Sequence, residues 1–231
     1  MNNLCIIPAR GGSKRIPRKN VKSFLGKPII AYSIELALDC DLFSEIMVST
    51  EDEEIAEIAK QYGAKIPFIR SAKNSNDFAT TSDVILEVLE EYQKEKIFFE
   101  NICCIYPTAP LSTKNKVVLG YEKLKEEKLD SVFPVVPYSY PIWRGLKQSN
   151  DKRIKMIWPE NRMKRSQDLE ETYHDAGQWY WITSESIIKN KSLFTTNSSA
   201  IILSPLEVQD IDTINDWEIA ELKYARIQNT K

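Results

Sequence analysis

A single histidine, His174, occurs in this chain of 231 residues, so a multi-histidine metal centre is excluded, although that one ring remains available to a substrate. The four cysteines, Cys5, Cys40, Cys103 and Cys104, contain no Cys-x-x-Cys pair. Two of them fall within apolar strand-like runs, so reduced core residues are expected rather than a disulfide or metal framework. No stretch reaches the roughly 18 apolar residues of a membrane-spanning helix, and the N-terminus lacks the charged-then-apolar order of a signal peptide. A cytoplasmic protein that does not engage membranes is expected. A net charge of -2 provides no global attraction to nucleic acid either. Internal repeats and low-complexity segments are also missing. A make-up of 42% hydrophobic and 28% charged residues is that of a globular protein, and one domain over residues 1–231 is the default expectation.

Acidic residues are absent from the first 34 positions, Glu35 being the first. In that space the apolar run Cys5-Ile6-Ile7 leads through Pro8, Ala9 and Arg10 into Gly11-Gly12-Ser13-Lys14-Arg15, and then to Arg18, Lys19 and Asn20. Glycines let backbone N–H groups approach an anion, and a strand fixes where such a loop leaves a sheet. Arg10, Lys14, Arg15, Arg18 and Lys19 give the loop a local positive field suited to a small polyanion. A solvated basic run or import signal is the alternative, but neither needs a buried strand directly before it. The loop lacks the Gly-Lys-Ser/Thr ending of a Walker A motif and is not Gly-x-Gly-x-x-Gly.

Short apolar runs alternate with helical patterns through the first half. Strands are expected at Leu4–Ile7, Glu45–Ser49, Lys65–Ile69, Ile102–Tyr106 and Ser131–Val136, with helices at Pro28–Leu38, Glu53–Tyr62, Asp83–Lys94 and Thr113–Lys125. That alternation predicts an α/β fold with a mostly parallel sheet and helices on both faces. Ligands of such sheets bind at the carboxyl ends of the strands, where the Ala9–Asn20 loop emerges. From Pro137 to Thr172 the rhythm breaks into a long excursion with a functional role, a lid or an interaction arm. Strand character returns at Trp179–Trp181 and Ile201–Leu203, and a helix follows at Thr213–Ile227, where Thr213 and Asp216 have capping-box spacing.

Asp210 and Asp212 form a second constellation. Two residues apart on extended backbone, they share a face, and paired carboxylates suit Mg²⁺ together with substrate phosphates. Acidic residues also occur at helix starts for capping and dipole reasons, so spacing alone leaves both readings open.

The segment Ile7-Pro8-Ala9-Arg10-Gly11-Gly12-Ser13-Lys14-Arg15-Ile16-Pro17-Arg18-Lys19-Asn20 resembles the opening signature of the cytidylyltransferases that activate sialic-acid-like sugars, and Asp210-Ile211-Asp212 resembles their late metal-binding pair. Arg70, Thr80-Thr81-Ser82-Asp83 and Pro107-Thr108-Ala109-Pro110-Leu111 agree with the same family. Tyr173-His174-Asp175-Ala176-Gly177-Gln178-Trp179-Tyr180-Trp181 resembles the branch that uses pseudaminic acid. Tyr106 stands where sialic acid enzymes usually carry Gln, which points away from sialic acid itself.

The resemblance implies a three-layer α/β/α Rossmann-like nucleotidyltransferase fold, a homodimer built through an inserted arm at about 137–180 that also contributes to the neighbouring sugar pocket, and Mg²⁺. The implied reaction takes CTP and a nine-carbon 2-keto-3-deoxy sugar acid to the CMP-sugar and pyrophosphate, with N-acetylneuraminic, legionaminic and KDO synthetases as rivals. A nucleotide-binding module without catalysis is a more distant alternative. Implied nucleotide contacts are Ala9, Arg10, Gly11, Gly12, Ser13, Lys14, Lys19 and Asn20, with Arg70, Thr80 and Ser82 at the base and ribose. Lys19, Arg10 and Asp210 are expected to serve catalysis, and Asp210 and Asp212 to hold the metal. Tyr106, Thr108, Arg165, Tyr173, His174, Asp175 and Gln178 are expected on the sugar side, though Arg165 could equally be solvated and the Tyr106 and Tyr173–Gln178 group could form a dimer rim. Thr80–Ser82 could be an ordinary helix cap.

Overall fold

The computed structural model describes residues 2–228, and in it the first apolar run forms strand β1 (Asn3–Pro8), whose first five residues are buried. A strand covered on both faces reads as continuous apolar sequence rather than as an alternating one. After it come β2 (Ser23–Phe24) and β3 (Lys27–Pro28), α1 (Ile29–Cys40), β4 (Glu45–Ser49), α2 (Glu53–Gln61), α3 (Thr81–Lys94), β5 (Asn101–Ile105), α4 (Lys114–Glu126) and β6 (Ser131–Pro137). The second half holds β7 (Leu146–Gln148), β8 (Ile154–Met156), β9 (Tyr173–Asp175), β10 (Trp179–Thr183), α5 (Ser184–Asn190), β11 (Ser198–Ile202) and α6 (Ile214–Gln228).

The main sheet has the order β11-β6-β10-β5-β1-β4, with β9 also pairing β6. Five of its seven strands, β1, β4, β5, β6 and β11, run one way, and β9 and β10 run against them. The carboxyl ends of β1, β4 and β5 therefore open on the same edge.

Alternating side chains build two apolar layers. Cys5, Ile7, Cys103, Ile105, Trp179 and Trp181 meet α1, α2 and α4 on one face. Leu4, Ile6, Ile102, Cys104, Tyr180 and Ile182 meet α3 and α5 on the other. The architecture is thus three-layered. All four cysteines are free and buried. A separate cluster of Ile16, Phe24, Ile29, Ile211, Trp217 and Ala220 packs α6 against the loop after β1 and the start of α1.

Several expectations need correction. Lys65–Ile69 is not a strand; Lys65 alone bridges Met47, because Pro67 has no N–H with which to continue the ladder. The excursion occupies 138–172, close to the Pro137–Thr172 break expected from the sequence but shorter than the implied arm at about 137–180, since β9 and β10 belong to the main sheet and the Tyr138 N–H to Thr172 carbonyl bond, 3.0 Å, closes its base. Helix α5 and strand β9 lie outside the sequence expectations, both being too short for periodicity to register. Among the described residues, no helix is long and apolar enough to cross a membrane.

Gly120 on α4 is a packing requirement. A Cβ there would lie 2.5 and 2.6 Å from two ring carbons of Trp179 and 3.1 Å from Trp181. Gly120→Ala should therefore destabilise the fold by about 1–3 kcal/mol through overpacking, read as a lowered midpoint in urea denaturation. An unchanged midpoint would show that the two indoles are free to give way.

Candidate active site

A cavity of about 490 Å³ opens at the carboxyl ends of the strands. Its walls include Arg10, Ser13, Lys14, Lys19 and Asn20 from the loop after β1, Arg70 and Thr80 from the segment before α3, and Tyr106 and Thr108 after β5. Ala9 is wholly buried and hydrogen-bonded to the Ser49 carbonyl at 2.9 Å, so it anchors the loop instead of lining the cavity.

Backbone and carboxylate contacts fix the loop's course. Buried Asn20 donates through Nδ2 to the Arg10 carbonyl at 2.9 Å, tying the two ends together. The Ser13 N–H donates to the Gly11 carbonyl at 3.0 Å and closes a tight turn. The Gly11 N–H donates to Glu51 Oε1 at 2.7 Å, so in this geometry the amide expected to meet a phosphate grips a carboxylate. Gly11 is still required, since a Cβ would lie 2.5 Å from Asp52 Oδ2, whereas Gly12 has open space around it. Neither glycine lines the cavity.

Arg18 leaves the cavity altogether. It sits in the left-handed region at φ 55° and forks onto Asp52, with Nη1 at 2.5 Å and Nη2 at 2.9 Å, and it also pairs with Glu54. Asp52 in turn caps α2 by accepting the Ile55 N–H at 3.0 Å. The hydrogen bond from Arg18 holds the Asp52 carboxyl below its ordinary value, more than offsetting partial burial, and the Ile55 N–H adds to it.

Lys19 joins the two constellations. Its Nζ donates to the Ile211 carbonyl at 2.6 Å and lies 3.7 Å from Asp212 Oδ1, which also receives Arg15 Nη2 at 2.6 Å. Ile211 is buried in the cluster that includes Ile16, leaving Asp210 and Asp212 on the opposite face of the same extended stretch. Burial lowers the Lys19 ammonium, and the charges of Asp212 and Asp210 work against that effect. Burial raises the Asp210 carboxyl, and neighbouring Asp212 adds to the rise.

The helix-start reading of the pair does not hold. Thr213 and Asp216 form the cap: the Asp216 N–H reaches Thr213 Oγ1 at 3.3 Å, and the Thr213 N–H reaches Asp216 Oδ2 at 2.7 Å. Among the described residues, no group of three or more histidine, cysteine or acidic side chains is placed to hold a metal ion. The chain offers two hard carboxylates, that of Asp212 paired with Arg15 and Lys19 and that of Asp210 with no hydrogen bond among the described residues, a donor set that fits Mg²⁺ completed by phosphates and water.

Arg70 is 5% exposed and spends Nε on Ser49 Oγ at 2.9 Å and Nη2 on the Ser49 carbonyl. Thr80 caps α3 in a capping box with Asp83 and also lines the cavity. Ser82 does not line the cavity; Thr81 does, with its hydroxyl 2.9 Å from that of Tyr106.

On the sugar side the residues separate. The Tyr106 ring lies 5.3 Å from Tyr180, whose hydroxyl bonds Asp175, and burial pushes the Tyr106 phenol up to about 12. Gln178 is buried; its carbonyl accepts the Tyr106 N–H at 2.8 Å and its side chain donates to the Glu207 carbonyl at 2.6 Å. Tyr173 and His174 lie on β9 outside the cavity wall, exposed, with His174 packed 5.1 Å from Tyr138. Arg165 is solvated and paired with Asp168 at 2.7 Å, so within one chain it does not reach the cavity. Sequence reasoning missed Asn74, Asn76 and Asp77 in the wall. Only their position between Arg70 and the Thr80 cap could have signalled them.

A family model described as cytidylyltransferase matches residues 4–209, ending one residue before Asp210, so the carboxylate pair is argued from its own geometry. A pseudaminic acid cytidylyltransferase from Campylobacter jejuni subsp. jejuni serotype O:23/36 (strain 81-176) is 44% identical over 224 residues, covering 97% of this chain and 97% of that protein. A CMP-N,N'-diacetyllegionaminic acid synthase from Legionella pneumophila is 34% identical, covering 96% of this chain and 95% of that one. The solved structure of a CMP:2-keto-3-deoxy-manno-octonic acid synthetase complexed with CTP superposes with a TM-score of 0.73 at 17% identity, over 98% of this chain and 99% of that one, and shows the shared fold.

The depressed Asp52 carboxyl contributes stability above its unfolded value of about 3.8 and loses it as pH falls through the folded value. Asp52→Asn keeps a capping side chain and removes the charge facing Arg18. The wild type should be the more stable at neutral pH, and the gap should close below about pH 4 in urea titrations. Parallel curves down to strongly acidic pH would dismiss the ion pair as a contributor.

Proposed function

We infer the reaction from one premise, that this chain belongs to the cytidylyltransferase family: it transfers CMP from CTP to the anomeric hydroxyl of a nine-carbon 2-keto-3-deoxy sugar acid, with pyrophosphate leaving. Pseudaminic acid is the favoured acceptor, since 44% identity to a pseudaminic acid cytidylyltransferase exceeds the 34% to a legionaminic acid synthase. The observation that carries the site assignment is the junction of Lys19 with the Asp210–Asp212 stretch at the edge of the cation-lined cavity.

In this reading Arg10, Ser13 and Lys14 hold the β- and γ-phosphates, and Lys19 neutralises charge on the α-phosphoryl group as the sugar hydroxyl attacks in line and the pyrophosphate oxygen departs. Nucleotidyl transfer asks the protein for position and charge, not for a covalent intermediate. Asp210 and Asp212 would hold Mg²⁺, which when bound supplies positive charge to the substrate phosphates. Arg70 and Thr80 face the nucleoside, and Arg70 is kept rigid by its bonds to Ser49. Tyr106, supported by Thr81 and Tyr180, and Thr108 face the sugar.

The 138–172 arm serves as the dimerisation element, with Arg165 supplied to the partner's sugar pocket. Support comes from apolar side chains displayed along it, Tyr140 at 57%, Leu146 at 61% and Met163 at 88% exposure. A reducing cytoplasm suits the four free, buried cysteines. Leu146→Glu on β7 combined with Ile154→Glu on β8, two strands that pair antiparallel within the arm, should yield monomers in sedimentation velocity; an unchanged sedimentation coefficient would remove this strand pair from the interface.

Lys19→Ala, folded and saturated with CTP, should lose about two to three orders of magnitude in kcat, equivalent to roughly 3 kcal/mol of transition-state stabilisation. Turnover within tenfold of wild type would take Lys19 out of the chemistry. Asp210→Ala and Asp212→Ala should each abolish Mg²⁺-dependent product formation. With radiolabelled CTP, pseudaminic acid should be converted in preference to N-acetylneuraminic, legionaminic and KDO acids, and preference for another of these acids would reassign the substrate.

A further inference from the structure

Arg10 and Lys14 share one carboxylate across the cavity. Arg10 Nη1 lies 2.8 Å from Asp77 Oδ1 and also donates to the Asn76 carbonyl at 3.2 Å, while Lys14 Nζ pairs with Asp77 Oδ2. Each oxygen of the carboxylate thus takes one cation, a bridging arrangement in which two oxygens of a polyphosphate could stand in its place.

Asp77 does not owe its place to these cations. Its loop is fixed by its own hydrogen bonds: Asn76 Nδ2 reaches the Lys73 carbonyl at 2.7 Å, and Asn76 Oδ1 accepts the N–H groups of Phe78 at 2.7 Å and Ala79 at 3.1 Å. Thr80 and Asp83 then close the cap of α3. The carboxylate can withdraw by side-chain rotation while its backbone stays. The pairs are also solvent-facing, with side-chain exposures of 38% for Arg10, 76% for Lys14 and 42% for Asp77. Exposed pairs of this kind are individually weak and salt-screened, so a more highly charged anion displaces them. The Lys14 hydrogen bond, with Arg10 adding to it, holds the Asp77 carboxyl below its ordinary value, so it is charged at neutral pH.

Contrast Arg18, whose carboxylate partner Asp52 also caps a helix and blocks a Cβ at Gly11. That pair belongs to the scaffold and lies outside the cavity wall. Asp77 lies in the wall, together with both of its cations.

We propose that Asp77 is an affinity-setting residue of the polyphosphate subsite, its carboxylate competing with the β- and γ-phosphates of CTP, and with departing pyrophosphate, for Arg10 and Lys14. The proposal rests on the reading of that cradle given above. It makes binding weaker than the cations alone would give, and it makes release of pyrophosphate easier.

Isothermal titration of wild type, Asp77→Asn, Asp77→Ala and Arg10→Ala with inorganic pyrophosphate and with CTP tests it. Both Asp77 variants should bind pyrophosphate about three- to tenfold more tightly at low salt, with the gain shrinking as salt is raised. Pyrophosphate should also inhibit their turnover more strongly by the same factor. Equal or weaker pyrophosphate binding by both Asp77 variants, with affinity lost in Arg10→Ala, would overturn the role of Asp77 and leave the cradle standing. If Arg10→Ala binds pyrophosphate as well as wild type does, or if wild type binds none, the cradle reading falls and this inference falls with it.

Discussion

The burial of Ile211 in one apolar cluster with Ile16 is the constraint from which the site follows. Those residues stand at opposite ends of the chain, and the cluster they share with Phe24, Ile29 and Trp217 packs α6 against the loop that leaves β1. Burying each such side chain is worth about 1.5–3 kcal/mol, more than the exposed ion pairs nearby can supply. With Ile211 facing inward, the flanking aspartates must face outward, and the Ile211 carbonyl is left within reach of Lys19. An apolar contact therefore sets the electrostatics.

The cations of the loop after β1 divide according to what their partners do. Arg18 is spent on Asp52 and Glu54 and holds the loop to the start of α2. Arg15 and Lys19 meet Asp212, and Arg10 and Lys14 meet Asp77. Five positive side chains that form a single patch in sequence thus become one scaffold clamp and two pairs in the cavity wall. Glu51 completes the arrangement from beneath, taking the Gly11 amide on one oxygen. Its other oxygen is buried without a hydrogen-bond partner among the described residues.

Much of the architecture was legible because periodicity and length carry it. The alternation of β1, α1, β4, α2, α3, β5 and α4 gave a largely parallel sheet, and the strand-to-loop transition at Pro8 marked where the cavity opens. Where local chemistry competed with pattern, pattern failed: Pro67 broke the ladder that Lys65–Ile69 suggested, and three-residue β9 is too short to have a period. The glycines were understood in part. Gly11 is indeed required, though to clear Asp52 and to direct its amide to Glu51, and no feature of the linear motif distinguishes that from an amide aimed at phosphate.

The chain's covalent order alone determined the reactive inventory: a cationic loop with no acid before Glu35, a late pair of aspartates, one histidine and no cysteine framework. These are properties of residue type and short spacing, which survive without any fold. Tertiary structure decided who meets whom. Lys19 and Ile211 are 192 positions apart, and Arg10 and Asp77 are 67 apart. Contacts over such separations arise only when packed layers bring distant segments together, because the pairing energy of any one of them is too small to impose itself on an unfolded chain.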